Sequence, residues 1–175
     1  MTALARLLRR FGGADDGVAA VEMSLIGVVF AAAMINAVEI GRYGLTLMQL
    51  NNAAQAGMAA AYRTCDAAHL PATQNCPDLA TAVATALHST TLGDDVTVQG
   101  QVTEGWYCVN SAKTLQYMAD PSSKPADCSA ASNATGSPGL YLSVQAQYTY
   151  EPIFPGTFAQ TFNAQLTRTA MARFQ

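Results

Sequence analysis

Residues 15–30 read DDGVAAVEMSLIGVVF, an acidic pair and a glycine followed by an apolar run with a single charge, Glu22. The run continues to Val38, and its 21 residues from Val18 onward carry no other charged side chain. As an α-helix, a segment of this length spans about 30 Å, the thickness of the hydrocarbon core of a bilayer. The stretch therefore predicts a transmembrane helix over about 18–38. It also raises a question, because a lone carboxylate in hydrocarbon is costly.

Charged residues before the apolar run predict how this helix is oriented in the membrane. Arg6, Arg9 and Arg10 precede it, and positively charged residues flank the cytoplasmic end of a membrane helix. The sequence thus predicts a cytoplasmic N-terminus and places residues 65–175 outside the cytoplasm.

The cysteines agree with this orientation, because all four lie beyond the apolar run: Cys65, Cys76, Cys108 and Cys128. An even number without a CxxC pair suits two disulfides in an oxidising compartment. We favour the sequential pairing, Cys65–Cys76 and Cys108–Cys128, because each bond closes a short loop of polar and turn residues. Two alternatives remain at this point. One is free cytosolic thiols, and the other is a metal site built from Cys65, His69, Cys76 and His88, which lacks compact zinc spacing.

Helical character continues past the membrane run. Residues 39–63 contain no proline and are rich in Ala, Leu, Met and Gln, which favour helices. Glu39 and Arg42 mark the exit from the apolar run and have the i, i+3 spacing of an ion pair. We therefore predict one helix over 18–64.

Small residues recur four apart at two places in this helix, a spacing that lets helix backbones approach closely. The first stripe is Ala33, Ala37 and Gly41, and the second is Ala53, Gly57 and Ala61. Chance spacing in an alanine-rich helix remains an equal explanation for the first stripe. For the second, we expect burial against the protein's own sheet.

The rest of the chain alternates between turn signals and short apolar patterns. Residues 77–89 predict a short amphipathic helix with Leu79, Val83 and Leu87 on one face. Strands are predicted at 96–102, 106–109, 140–150 and 162–174, with a turn at Glu104-Gly105 and a long loop over 110–139. A long helix followed by an antiparallel meander is an α+β fold.

The residue types needed for catalysis do not assemble into any motif that we recognise. There are two histidines, and no nucleophile elbow, zinc-helix motif, phosphate-binding loop or dinucleotide fingerprint. We predict no enzyme activity, no cofactor, no metal and no small-molecule substrate. The net charge of −3 gives no reason to expect nucleic acid. Trp106, Tyr107 and Tyr117 are candidates either for an exposed partner-binding patch or for the core.

The stretch around Gly17 resembles a type IV prepilin processing site, in which a polar leader ends in glycine and the mature helix has glutamate at its fifth position. RRFGGADDGVAAVEMSLI, together with the later YTYEPIFPGTF and LTRTAMARF, resembles the TadE-like family of pilin-like proteins of the tight-adherence (Flp) pilus system. The resemblance covers both ends of the chain but not roughly 66–135. Met23 stands where major Flp pilins commonly have an aromatic residue.

The resemblance implies a leader over 1–17, cleavage between Gly17 and Val18 by a prepilin peptidase, a helix over 18–64, and a periplasmic α+β domain over 65–175 with a pilin-like layout. Glu22 would then be an assembly carboxylate, paired with the new amine of a neighbouring subunit. The implied partners are other pilins and the assembly platform, reached through the N-terminal helix in the bacterial inner membrane. The implied function is that of a minor pilin or pseudopilin.

Two other functions remain open from the sequence. One is an unprocessed single-pass periplasmic adapter or receptor, for which Glu22 lies close enough to the interface to reach water. The other is a secreted binding domain, with AAA at 31–33 as its signal-peptide cleavage site.

Overall fold

The computed structural model describes residues 16–154, 161 and 164–175. These residues form three helices and five strands, together with single turns of 3₁₀-helix at Ala67–His69, Gly93–Asp95 and Ser129–Ala131. The helices are α1 (Asp16–Thr64), α2 (Ala72–Asn75) and α3 (Leu79–His88). The strands are β1 (Thr97–Val98), β2 (Thr103–Val109), β3 (Leu115–Ala119), β4 (Gly139–Thr149) and β5 (Gln165–Arg173). A long apolar helix packed on a small antiparallel sheet confirms the predicted α+β class.

The chain divides into two compact units. The first contains the described part of residues 1–42 together with that of 152–161. The second contains residues 43–151 and the described part of 162–175. The helix α1 runs through both units: its apolar first part, up to Arg42, belongs to the first unit, and residues 43–64 belong to the second.

The long helix is a single element of 49 residues, as its lack of proline predicts. It ends at Thr64, whose hydroxyl donates to the carbonyl of Ala60 at 2.9 Å. The next residues leave the helix because Asp66 takes up an extended backbone and caps the following turn, accepting from the amide of Ala68. Both the length and the end of the predicted helix agree with this structure.

In the second unit, one face of α1 is buried against α3 and β4. Leu50, Ala53, Ala54 and Ala61 have no exposed surface, and a Cβ added at Gly57 would lie 2.9 Å from Leu87 Cδ1 and 3.4 Å from Val144 Cγ1. Glycine at 57 thus lets the helix approach both neighbours closely. The predicted burial of the second stripe against the protein's own sheet is seen at Val144 of β4, and α3 provides the nearer contacts, which the sequence did not predict.

Strand β4 is the centre of the sheet. Along one edge it pairs with β5 from Tyr141 to Thr149. Along the other it pairs with β2 at 139–143 and with β1 at 146–147, and β3 lies outside β2. Alternate residues of β4 point into the core, where Leu140, Leu142, Val144 and Ala146 are at most 1% exposed. The predicted alternation of this strand is confirmed.

The order of the strands corrects the predicted meander, because β4 pairs with β2 and β1 instead of β3. The loop predicted over 110–139 contains β3, which forms a hairpin with β2. Asn110 sets the hairpin turn by accepting from the amides of Ala112 and Thr114. The strand predicted at 96–102 is limited to Thr97–Val98, since the chain turns at Gly100, where φ is +75°.

Glu104 and Gly105, predicted as a turn, lie inside β2. Contacts with residues distant in the sequence hold both of them in the extended strand. A Cβ at Gly105 would lie 2.6 Å from the ring of Tyr117, so the ring covers this glycine. The carboxylate of Glu104 accepts from the amides of Ala72 and Thr73 at 3.0 and 2.9 Å, and so caps the start of α2. Packing and capping overrode the local turn preference.

Candidate functional site

The junction predicted between leader and helix lies at the start of α1. Gly17 and Val18 are the second and third residues of the helix, and both are exposed. A Cβ at Gly17 would meet no atom within 4 Å. Residues 1–15 of the expected leader lie outside the described residues. Glu22 follows Val18 by four positions and so lies on the same face of the helix, one turn further on; its side chain is exposed.

The first part of α1 presents apolar side chains on every side. Each residue from Gly17 to Ile35 is exposed, and the most hydrophobic 18-residue window has a mean hydropathy of 2.2 with no buried residue. Along the described part of the chain, this is the one helix that is long and apolar enough to cross a membrane. Large exposed apolar surfaces of this kind mark lipid or protein contacts.

Two polar side chains in this segment are satisfied within the helix. The hydroxyl of Ser24 donates to the carbonyl of Ala20 at 2.7 Å, and the amide nitrogen of Asn36 donates to the carbonyl of Ala32 at 2.8 Å. Such bonds to the preceding turn suit a hydrocarbon environment, where water cannot serve as partner. Glu22 has the one charged side chain described in this segment, and an unpaired charge in hydrocarbon is costly.

The first stripe of small residues lies on the exposed surface of α1. Ala33, Ala37 and Gly41 are all exposed, and a Cβ at Gly41 would meet no atom within 4 Å. This surface differs from the buried second stripe, and it is open to another helix. Its role in helix packing stays a prediction.

Glu39, at the end of the apolar run, is completely buried. One carboxylate oxygen, Oε1, accepts from the backbone amides of Ile153 and Phe154 at 2.9 and 3.3 Å. The same oxygen lies 3.4 Å from Nη1 of Arg42, which confirms the expected i, i+3 pair. The bonds to 153 and 154 join residues more than a hundred positions apart, so sequence spacing alone gave no signal for them.

The cysteines lie in two pairs at disulfide-bonding distance. The Cα atoms of Cys65 and Cys76 are 5.9 Å apart, and those of Cys108 and Cys128 are 5.6 Å apart. These pairs agree with the favoured sequential pairing. Because Cys65 and Cys76 are joined to each other, their thiolates are not available for the alternative metal site. Among the described residues no group of three or more His, Cys, Asp or Glu side chains is placed to hold a metal.

The aromatic residues of β2 are separated by the pleat of the strand. Trp106 is 4% exposed, and its indole N–H donates to the carbonyl of Pro121 at 3.0 Å. Tyr107 lies on the opposite face, with edge-to-face contacts to Tyr117 and Tyr141 at 5.5 and 5.7 Å between ring centroids. Of the two predicted alternatives, burial in the core holds for Trp106. Tyr107 and Tyr117 lie with Tyr141 in a row of three tyrosines on the outer face.

Tyr117, at 50% exposure, is the most accessible member of that row. Its hydroxyl donates to Oδ1 of Asp120 at 2.7 Å. This hydrogen bond to a carboxylate raises the pKa of Tyr117 above its ordinary value, because ionising the phenol would place two negative charges side by side. The exposed end of the row is thus a phenol hydrogen-bonded to the carboxylate of Asp120.

A cleft of about 430 Å³ lies beside α3, between it and the turn at Gly100. Its lining consists of small, apolar and amide side chains, with Thr73, Gln74 and Gln101 as the polar members. None of the lining residues has a carboxylate, imidazole or amine, and the hydroxyl of Thr73 donates to the carboxylate of Glu104 at 3.0 Å.

The features above define a class: an α+β protein with one helix able to span a bilayer by length and composition, and with two cysteine pairs at bonding distance in its second unit. Comparisons with protein-family models, with curated proteins and with solved structures found no match for this chain.

Proposed function

We propose that this chain is a minor pilin or pseudopilin of a tight-adherence pilus system, held in the bacterial inner membrane by α1 and cut by a prepilin peptidase between Gly17 and Val18. The observation that carries the proposal is the change of environment along one continuous helix. Its first part is apolar and exposed on all sides, and its last part has one face buried under a sheet. A pilin needs both, because the exposed part must pack in the membrane and then beside other subunits.

The position of Glu22 supports the same function. In the precursor, the nitrogen of Val18 is an amide without charge. Cleavage turns it into an ammonium group that can pair with a carboxylate. A carboxylate in an apolar helix is costly alone but is stabilised by such a partner. The exposure of Glu22 leaves it open to the amine of a neighbouring copy.

The mature N-terminal residue tests this function. The full chain is expressed in bacteria together with a prepilin peptidase, and the N-terminus is sequenced from the envelope fraction. We expect Val18. Met1 or Thr2 would instead favour an unprocessed membrane adapter or receptor, and a residue beyond Ala33 would favour a secreted domain.

A pair of glycine variants sharpens this experiment. Gly17→Val should block cleavage and leave a precursor longer by the 17-residue leader. Gly27→Val is the matched control, because it lies in the same helix and an added Cβ meets no atom within 4 Å at either site. It should be processed normally. Equal mobility of the two variants on a gel would contradict the proposal.

A further inference from the structure

The residues around Glu39 form a cluster in the first unit that the proposed function does not use. It consists of Glu39, Arg42, Ile153 and Phe154, which we call the exit cluster. The backbone amides of Ile153 and Phe154 are held on the buried carboxylate, whereas their side chains are 56% and 40% exposed. The contact thus fixes two large apolar side chains at the surface.

The level of the exit cluster along α1 is set by helix geometry. Glu39 lies 21 residues after Val18, which corresponds to about 32 Å at the rise of an α-helix. The hydrocarbon core of a bilayer is about 30 Å thick. If α1 spans the membrane from Val18, the exit cluster lies where hydrocarbon meets the headgroups.

The residue types of the exit cluster suit the boundary between hydrocarbon and headgroups. Ile153 and Phe154 are held at Glu39, whose neighbours along α1, Val38 and Ile40, are 52% and 48% exposed. Arg42, with 38% of its side chain exposed, supplies a guanidinium at the same level, a group that suits lipid phosphate. Aromatic and apolar side chains beside a cation are typical of membrane interfaces.

We propose that the segment containing Ile153 and Phe154 is a second membrane contact, which inserts into the outer lipid interface and is positioned there by Glu39. The occupant of this surface is the lipid bilayer. The inference rests on the membrane-spanning part of the proposed function, because the depth of the cluster is counted from Val18.

Photocrosslinking to lipid tests it. The full chain is reconstituted in vesicles of mixed phosphatidylcholine and phosphatidylglycerol, with a p-benzoylphenylalanine at one position in each variant. Phe154→p-benzoylphenylalanine should yield lipid adducts, detected by mass, several-fold above Tyr117→p-benzoylphenylalanine. Position 117 is the matched control, because it is also an aromatic residue of comparable exposure. No lipid adduct at 154, or a crosslink from 154 to a second protein copy, would overturn the proposal.

Val29→p-benzoylphenylalanine separates this inference from the proposed function. Lipid adducts at 29 without adducts at 154 would refute the exit cluster alone. Absence of adducts at both positions would refute the membrane span as well.

Two variants of Glu39 test whether this residue positions Phe154 at the membrane, with the lipid adducts at 154 as the measurement. Glu39→Gln keeps a carbonyl oxygen as acceptor and should preserve the lipid adducts at 154. Glu39→Ala removes the acceptor and should lower them several-fold while leaving those at 29 unchanged. Equal adduct yields at 154 in both variants would refute the positioning role.

Discussion

The carboxylate of Glu104 is held by α2 through both backbone and side chain. Besides the two amides, it accepts from the hydroxyl of Thr73 at 3.0 Å. These bonds tie the loop closed by Cys65 and Cys76 to the sheet. A negative charge at a helix start is stabilised by the unpaired amides of the first turn.

Removing this carboxylate should lower the stability of the protein. We expect Glu104→Ala to reduce the free energy of unfolding by about 1–3 kcal/mol, because two backbone donors lose their partner. Thermal unfolding followed by circular dichroism in detergent micelles measures the change. The control is Glu151→Ala, at an exposed glutamate, which should shift stability by less than about 0.5 kcal/mol. Equal melting temperatures for the two variants would refute the cap.

At the scale of residues, sequence patterns identify roles that depend on near neighbours. The Glu39–Arg42 pair was predictable from its i, i+3 spacing. The bonds from Ile153 to Glu39 and from Ala72 to Glu104 were not, because these partners lie 114 and 32 positions apart in the chain. Glu104 was also misleading locally, since a following glycine favours a turn.

At the scale of elements, α1 packs closely on α3 and β4. Leu79, Val83 and Leu87 of α3 are buried at i, i+4, i+8, which confirms the predicted amphipathic face. Gly57 is the point where this face meets α1, with Leu87 and Val83 within 3.3 Å of an added Cβ.

A side chain at this position should therefore disturb the packing. We expect Gly57→Val to cost about 1–3 kcal/mol of stability, because extra carbons in a close-packed core force its neighbours to move. Gly44→Val is the matched control in the same helix and unit, since an added Cβ there meets no atom within 4 Å. Chemical denaturation followed by circular dichroism compares the two. Identical midpoints would show that α3 does not pack closely at Gly57.

Among the strands, β4, with a regular alternation of apolar and polar residues, was predicted from the sequence, and β3, without it, was missed. β4 was clear because its four buried core positions (Leu140, Leu142, Val144 and Ala146) alternate with less buried, mostly polar residues. β3 was missed because its five residues lie between Asn, Ser, Lys, Asp and Pro, and its pairing comes from the hairpin with β2. The pairing of β4 with β2 depends on the whole sheet, and the local sequence patterns of the two strands do not predict it.

At the scale of the whole molecule, the described residues include one charge within the exposed apolar surface, Glu22. On the proposed function it matters only after cleavage and only between copies. The sequence predicted this junction from a motif, and the sequential cysteine pairing from loop lengths. On the proposed function, the partner of Glu22 belongs to a neighbouring subunit, and local sequence patterns do not identify that subunit.

A charge-neutral variant tests that assembly role. We expect Glu22→Gln to be cleaved after Gly17 as efficiently as the natural chain. Its recovery in sheared surface fibres should fall at least about tenfold, because removing one partner of a buried ion pair costs about 3–5 kcal/mol. Quantitative immunoblotting of envelope and fibre fractions measures both steps.

Ser24→Ala is the control, since Ser24 bonds only to the preceding turn of its own helix among the described contacts. It should be recovered like the natural chain. Normal recovery of Glu22→Gln would exclude the carboxylate from assembly.

The place of β5 in the chain has a consequence for biosynthesis. It follows every other described element, yet it supplies nine register partners to β4. Its end also contacts α1, where the hydroxyl of Tyr62 donates to the carbonyl of Arg173 and the Tyr62 ring lies 4.2 Å from that of Phe174. On a ribosome, α1 emerges long before β5 exists. The edge of β4 that pairs with β5 therefore stays unpaired until every other described element has been synthesised, which leaves an open strand edge on the nascent chain.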